Sequence, residues 1–440
     1  MVIVDTKLQE RELQSRPIRV GLLGAGYMGR GIARQLLRPV PGMRLAAISN
    51  RTIAKAEGVL HEAGNDHFLR VTSTAQLEDA IARGQHAVAE DPMLLCQAGN
   101  IDIILDATSD IEFGAKIALC AIENGKHVVI NAAVDSTIGP VLKTYADRQG
   151  VVLTYTDGDE PGVAANLCRF VKGLGYRLVA AGNLKGLLDP YRTPQTQWAF
   201  AERVKQSAEM ITSFADGTKL SMECTILANA TGLRVGKRGM YGPKCAHVRE
   251  AVSLFPVEQL MNGGLVDYLL GAEPGTGAFA IGYNENRLDR EYMSHFKMGE
   301  GPFYVLYTPY HLPHLQVLST VARAVLFGDP TVTPLGKPVA DVLTVAKRPL
   351  AAGQILDSVG GFDYYGQIDA AEVVQQENLL PVALAQGCRL KRALAKDALI
   401  TYRDVEVPAG RLCDRIRAEQ DKLFFAGSPG RGSELSAAAA

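Results

Sequence analysis

The 440 residues carry 46 lysines and arginines against 47 aspartates and glutamates, a formal net charge of −1. That balance, with no basic run, excludes nucleic acid as an expected partner, and no apolar stretch reaches the roughly 18 residues of a membrane span. With 47% hydrophobic residues and 44 glycines, the composition is that of an α/β protein of two or three domains. The seven cysteines, Cys96, Cys120, Cys168, Cys224, Cys245, Cys388 and Cys413, are widely spaced and lack any C-x-x-C. They read as reduced thiols, neither zinc site nor disulfide frame. Asp5, Glu10 and Glu12 stand where a signal peptide would need an apolar run, so the expected location is the cytoplasm.

Residues 5–15 predict a short charged helix. The run from Arg19 to Leu23 predicts a strand leading into Gly24-Ala25-Gly26-Tyr27-Met28-Gly29, and a helix follows over 30–38. Strand, G-x-G-x-x-G and helix together predict a dinucleotide site. Gly24 makes the tight turn, Gly26 admits the pyrophosphate, Gly29 lets helix and strand pack closely, and Tyr27 and Met28 open the helix whose N-terminus faces the phosphates. The next strand, 43–49, ends at Asn50-Arg51-Thr52. An NAD site usually carries an acid there for the ribose 2′-hydroxyl. Asn50 and Arg51 are donors suited to a 2′-phosphate, so NADP(H) is the expected cofactor. The alternative is a solvated Arg51 and use of either dinucleotide.

Thr72-Ser73-Thr74 caps a helix over 71–82. Strands are expected at 101–108 and 126–131, separated by a helix over 113–124 closed by Gly125. This alternation predicts a doubly wound parallel sheet. Ligands lie at the carboxyl ends of such strands, which places Ala107, Thr108 and Asn131 beside the nicotinamide. For Thr108 and Asn131 the competing role is strand-end capping. Beyond residue 150 the pattern changes, with strands expected at 178–182, 211–214 and 220–226, and a long helix over 310–327.

The candidate chemistry lies in this second half. Asp157-Gly158-Asp159-Glu160-Pro161 sets three carboxylates after the strand 151–155. Asp159 and Glu160 are candidate acid/base groups and ligands for Mg²⁺ or Mn²⁺, which prefer carboxylate oxygens. The competing role is a capped helix start. Lys185 follows a strand and is the candidate catalytic lysine, able to stabilise and protonate an alkoxide. The stretch 229–244 is rich in glycine and cations without an acid. It offers Arg238 and Lys244 as a phosphate clamp, with Asn229 and Thr231 to orient hydroxyls. The competing role is a solubilising surface loop. Lys297 is a further anion candidate, and His311 a candidate substrate contact.

Several stretches carry a family resemblance. They are Pro17-Ile18-Arg19-Val20-Gly21, Asn131 with Asp135-x-Thr137-Ile138-Gly139-Pro140, and Gly158-Asp159-Glu160-Pro161. Asn229-Ala230-Thr231-Gly232-Leu233, Gly239-Met240-x-Gly242-Pro243, Gly301-Pro302-Phe303 and Pro309-Tyr310-His311-Leu312 complete the set. With these, residues 16–420 resemble the 1-deoxy-D-xylulose 5-phosphate reductoisomerase-like oxidoreductases, relatives of homoserine dehydrogenase. Residues 340–356, 379–385 and 398–405 resemble a SAF domain, a small β-clip fold. The resemblance implies a Rossmann NADP-binding domain over 1–155, an α+β substrate and dimerisation domain over 156–335 and a SAF-like β-clip over 338–420. The low-complexity stretch 427–440 reads as a disordered tail.

The resemblance further implies a homodimeric NADPH-dependent enzyme. It would isomerise and reduce a five-carbon keto-sugar phosphate to a methylerythritol phosphate. Alternatives are an NADP-dependent dehydrogenase of a sugar acid or amino-acid semialdehyde without skeletal rearrangement, and a non-catalytic NADP sensor. Two departures stand out. Homoserine dehydrogenases carry a lysine directly after the residue matching Asn131, where this chain has Ala132. Of the basic residues expected around 183–187, only Lys185 is present.

Overall fold

The computed structural model describes residues 4–426, so the stretch 427–440 read as a tail lies outside the described residues. The chain divides into two compact units. The first comprises residues up to Asp135, Leu142–Gly162 and Leu312–Thr333. Its core is a sheet of seven parallel strands: β1 (Ile18–Leu23), β2 (Met43–Ser49), β3 (Phe68–Val71), β4 (His86–Ala89), β5 (Ile103–Asp106), β6 (His127–Val129) and β7 (Leu153–Thr154). Their order is β3-β4-β2-β1-β5-β6-β7. Central strands buried on both faces need continuous apolar runs, and β1 and β5 supply them with Val20, Leu22, Leu23, Ile103, Ile104 and Leu105, all at most 1% exposed. The chain order reverses between β1 and β5, so the ligand crevice of this fold opens at their carboxyl ends.

The helix Pro313–Phe327 belongs to this first unit and packs on the helix Tyr27–Leu36. Val317, Val321, Ala322 and Ala324 join Ile32, Ala33 and Leu36 in one apolar core. Gly31 is required at that crossing, because a Cβ there would stand 2.9 Å from the His314 ring.

The second unit comprises Ser136–Val141, Val163–His311 and the residues from Pro334 onward. It is built on a mixed sheet of β8 (Arg177–Lys185), β9 (Arg234–Val235), β10 (Leu265–Leu270), β11 (Ala278–Tyr283) and β12 (Phe303–Thr308). The order is β12-β11-β8-β10-β9, with β8 parallel to β10 and antiparallel to β11. The antiparallel pair β13 (Ala340–Ala346) and β14 (Tyr364–Ala370) and the short pair β15 (Arg389–Leu390) and β16 (Val405–Glu406) follow.

Two strands expected from the sequence are helices. Residues 211–214 lie in the helix Ala208–Ala215, capped by the Ser207 hydroxyl on the Met210 N–H. Residues 220–226 lie in the helix Thr218–Thr231, which packs against β8, β10, β13 and β14. Eleven of its residues are buried. A helix enclosed on every side has no polar face, so the 3.6-residue signal is absent and its apolar run imitates a strand.

Buried charges tie the C-terminal segment into this unit. Arg417 reaches Asp341 at 2.5 Å, Asp421 at 2.9 Å and the Thr137 carbonyl at 3.1 Å. Lys347 donates to Asp216 at 2.9 Å and to the carbonyls of Arg192 and Gly361 at 2.8 Å each. Each cation thus meets a carboxylate and backbone acceptors, the condition under which buried charge is tolerated.

Asp135 is the exception. It is fully buried, and neither carboxyl oxygen has a hydrogen-bond partner. Burial pushes its pKa up to about 8. The folded chain therefore holds a proton that the unfolded chain releases in the ordinary carboxylate range. Stability is expected to fall as pH rises towards 8 and to level off above it. Asp135→Asn, which cannot ionise, is expected to flatten that part of the stability curve. Urea midpoints of both proteins across the window test this, and an unchanged slope in the variant contradicts it.

Candidate functional site

At the end of β1 the chain turns through Gly24 with φ of +98°, a conformation that favours glycine. Its N–H donates to the Ser49 carbonyl at 2.8 Å, and the Ala25 N–H donates to Asn50 Oδ1 at 3.1 Å. The end of β2 thus braces the loop. A Cβ on Gly29 would stand 2.0 Å from the Gly24 carbonyl oxygen, so no other residue fits this close helix-to-loop approach. Gly26 differs: nothing lies within 4 Å of where its Cβ would be. It is the N-cap of the helix Tyr27–Leu36, and no side chain caps that helix. Tyr27 and Met28 form its first turn. The free N–H groups, the positive end of the helix dipole and the open space over Gly26 fit a pyrophosphate.

Asn50 spends its amide on the loop, since its Nδ2 donates to the Thr52 carbonyl at 2.9 Å. Arg51 is exposed and makes no hydrogen bond or ion pair among the described residues. It is the available donor for a 2′-phosphate at this strand end.

The ends of β5 and β6 are tied through Asp106. Its carboxylate accepts from the Thr108 hydroxyl at 2.6 Å, the Thr108 N–H at 2.9 Å and Asn131 Nδ2 at 2.7 Å. Burial pushes the Asp106 pKa up, opposed by these hydrogen bonds. Asn131 also caps the helix Ala132–Gln149 through the Val134 N–H. Thr108 and Asn131 thus perform strand-end bonding. Ala107 packs against the glycine loop, its carbonyl oxygen 3.1 Å from the Cβ position of Gly24.

The acidic turn lies between β7 and the helix Glu160–Gly173. The Asp157 N–H donates to the Thr320 hydroxyl at 2.6 Å, and the Asp157 carboxylate accepts the Gly158 N–H at 2.9 Å. Asp159 and Glu160 are 9% and 4% exposed, and the Tyr155 hydroxyl donates to Asp159. Gly158 has φ of +82°, and its Cβ position lies 2.6 Å from the Leu312 carbonyl oxygen. The backbone of Leu312 therefore rests on this turn, with His311 as its covalent neighbour. In the second unit, Nδ1 of His311 hydrogen-bonds the Thr276 hydroxyl at 2.9 Å.

Lys185 closes β8 and lies in the second unit. Its Nζ is 3.4 Å from the Glu223 carboxylate. Lys219 reaches the other oxygen of Glu223 at 2.8 Å, and Asn183 Nδ2 donates to Glu223 at 2.8 Å. Glu223 is 2% exposed, while the two lysine side chains are 14% and 16% exposed. This cluster of two cations, one carboxylate and one amide escapes a reading of the sequence. Read as a strand, residues 219 and 223 would lie about 13 Å apart. On a helix they are neighbours one turn apart. Lys219 is a second basic group in a cluster where the sequence around 183–187 offers only Lys185.

The proposed clamp over 229–244 is dispersed. Asn229, expected to orient hydroxyls, is 1% exposed; its Oδ1 accepts the N–H groups of Val339 at 2.8 Å and Ala340 at 3.1 Å. The Thr231 hydroxyl donates to the Leu227 carbonyl at 2.6 Å, a helix-end bond. Arg238 pairs with Asp369 at 2.7 Å and Glu377 at 2.8 Å, acids that lie far along the sequence. These three residues have structural duties that sequence spacing does not reveal. Lys244 lies in a bridge beside Leu270. Lys297 lines a cavity of ≈ 420 Å³ with Arg249, Glu300 and Tyr307.

Residues 158–317 match the family model of the oxidoreductase DRL catalytic domain, and residues 18–155 match the oxidoreductase family NAD-binding Rossmann fold. The chain is an oxidoreductase, similar to the DRL type over residues 158–317. A homoserine dehydrogenase from Neisseria gonorrhoeae is 25% identical over 217 residues, covering 46% of this chain and 44% of that relative. The match therefore spans less than half the relative's length. A probable dehydrogenase from Thermotoga maritima is 14% identical over 72% of this chain and 91% of its own, with a TM-score of 0.42. An apo scyllo-inositol dehydrogenase from Lactobacillus casei is 12% identical over 71% of this chain and 89% of its own, also with a TM-score of 0.42.

Two alanine substitutions separate folding from binding in the nucleotide loop. Gly29→Ala meets backbone and is expected to lower the melting temperature. Gly26→Ala meets no protein atom and is expected to leave the melting temperature within about 1 °C, yet to weaken NADPH binding at least about tenfold, by filling the space over the helix end. Thermal melts and fluorescence titration check both. Full NADPH affinity in folded Gly26→Ala would contradict the assignment.

Proposed function

We propose that this oxidoreductase uses NADP(H) and reduces a small keto-sugar phosphate, converting 1-deoxy-D-xylulose 5-phosphate to 2-C-methyl-D-erythritol 4-phosphate. The observation that carries the reading is the glycine loop: open space over Gly26 at an uncapped helix N-terminus, with the unpartnered Arg51 at the end of the adjoining strand. These features fit a dinucleotide bearing a 2′-phosphate. The bound cofactor supplies the hydride. Arg51 holds the 2′-phosphate, and the loop N–H groups hold the pyrophosphate.

Lys185 gives its proton to the alkoxide formed from the substrate carbonyl. Glu223 pairs with the Lys185 ammonium and aims it, and Lys219 adds a second positive charge. An ammonium in this role favours the transition state, because the charge on oxygen grows during reduction. Lys244 and Lys297 remain the candidates for the substrate phosphate, since Arg238 is engaged by two acids.

Asp159 and Glu160 offer the carboxylates suited to a divalent cation. Carboxylate oxygens fit Mg²⁺ or Mn²⁺. Such an ion would polarise the neighbouring hydroxyl and carbonyl oxygens of the substrate during rearrangement. The assignment extends to a homodimer in the cytoplasm and a SAF-like β-clip from residue 338 to 420.

NADPH consumption with 1-deoxy-D-xylulose 5-phosphate, with Mn²⁺ and with chelator, tests the reading. Wild-type protein is expected to consume NADPH only with substrate present, and to stop when chelated. Lys185→Met is expected to lose about 10²–10⁴-fold in kcat, the range for a lost general acid. Arg51→Ala is expected to weaken NADPH about 10- to 100-fold and leave NADH unchanged, as befits one charge-assisted contact. Absence of turnover in NADPH-binding protein would overturn the reductoisomerase assignment. Turnover that survives chelation would overturn the metal role.

A further inference from the structure

Asn183 carries an acceptor with nothing to accept. The residue is fully buried on β8, between β10 and β11. Its Nδ2 donates to Glu223 at 2.8 Å, while its Oδ1 has no hydrogen-bond partner among the described residues. The amide cannot be turned to relieve this. An ionised carboxylate only accepts, so the nitrogen must face Glu223 and the oxygen must face away. An unpaired buried acceptor costs about 1–3 kcal/mol. Here it lies within a cluster where the Glu223 carboxylate is satisfied on both oxygens.

Asn183 and Lys185 are two residues apart on one strand, so they share a face of the sheet, their Cα atoms about 6.5 Å apart. A substrate carbonyl oxygen held by the long Lys185 side chain leaves the group on the next carbon beside Asn183. Only a donor satisfies Oδ1 there. We propose that Asn183 Oδ1 accepts the hydroxyl on the carbon next to the reacting carbonyl, making Asn183 the residue that selects α-hydroxy ketones over plain ketones. The inference rests on the assignment of Lys185 as proton donor and narrows its substrate class. Selection of this kind is strong because an analogue without the hydroxyl leaves the buried oxygen unpaired. Glu223 acts as a positioning residue: it fixes the amide and both ammonium groups, and its side chain need not touch substrate.

The test uses the full-length protein loaded with NADP⁺ and two probes that differ in one hydroxyl next to the carbonyl, dihydroxyacetone phosphate and hydroxyacetone phosphate. Dissociation constants are measured by calorimetry. Wild-type protein is expected to bind the first at least about tenfold more tightly. Asn183→Leu, similar in size but without an acceptor, is expected to bring the two within about twofold; Asn183→Ala makes the same comparison if the leucine variant does not fold. Equal binding of both probes by wild-type protein, binding of neither, or a preference that persists in a folded variant would overturn the proposal.

NADPH consumption with 1-deoxy-D-xylulose 5-phosphate is measured on the same preparations. Lack of turnover with the hydroxyl preference intact would overturn the reductoisomerase assignment and leave the role of Asn183 standing. Turnover without the preference would do the reverse.

Discussion

A carboxylate removed from water must be surrounded by donors, and Glu223 shows how much that single requirement organises. It is 2% exposed and takes hydrogen bonds from Asn183, Lys185 and Lys219. Two of those donors come from β8 and the third from its own helix, so the carboxylate fixes where the strand end and the helix meet. Removing one partner from such a group costs far more than a surface ion pair, because the remaining charge stays buried. On the proposed assignment, the two ammonium groups at this carboxylate would lie where a developing oxyanion is held more strongly than in water.

The nucleotide half obeys a steric constraint. Gly29 must lack a side chain because backbone fills the space, and Gly26 leaves open space at the same helix end. Both glycines serve one motif, but only the first is demanded by the folded chain. Open space at an uncapped helix N-terminus is what a pyrophosphate requires. Asp106 completes this end by gathering Thr108 and Asn131, so the carboxyl ends of β5 and β6 are rigid where the nicotinamide of this fold lies.

Much of the first unit was legible in the sequence, because parallel strands announce themselves as apolar runs and the glycine motif carries its own mechanics. The strands 19–23, 43–49 and 101–108 and the helix near 310–327 appear within a few residues of their expected bounds. The second unit was less legible, for an identifiable reason. The helix Thr218–Thr231 is enclosed on all sides, loses its amphipathic period and reads as a strand, which hides Lys219 and Glu223 as a pair. Asn229 and Arg238 looked like ligand groups because their partners, the Val339–Ala340 backbone and Asp369, are more than 100 residues away. Local chemistry indicates that a polar residue needs a partner; only the fold shows whether the protein already provides one.

The absent lysine after Asn131 now has a physical context. At the end of β6 the helix begins with Asn131 committed to Asp106 and to its own capping bond, and Ala132 has no ionisable group. On the proposed assignment the proton comes from β8, which ends in a lysine paired with a buried acid. That assignment has a consequence for specificity. The proposed proton donor Lys185 and the proposed reader Asn183 lie on one strand, two residues apart, and one carboxylate bonds both. A change at Glu223 would then disturb catalysis and recognition together, whereas a change at Asn183 would disturb recognition first.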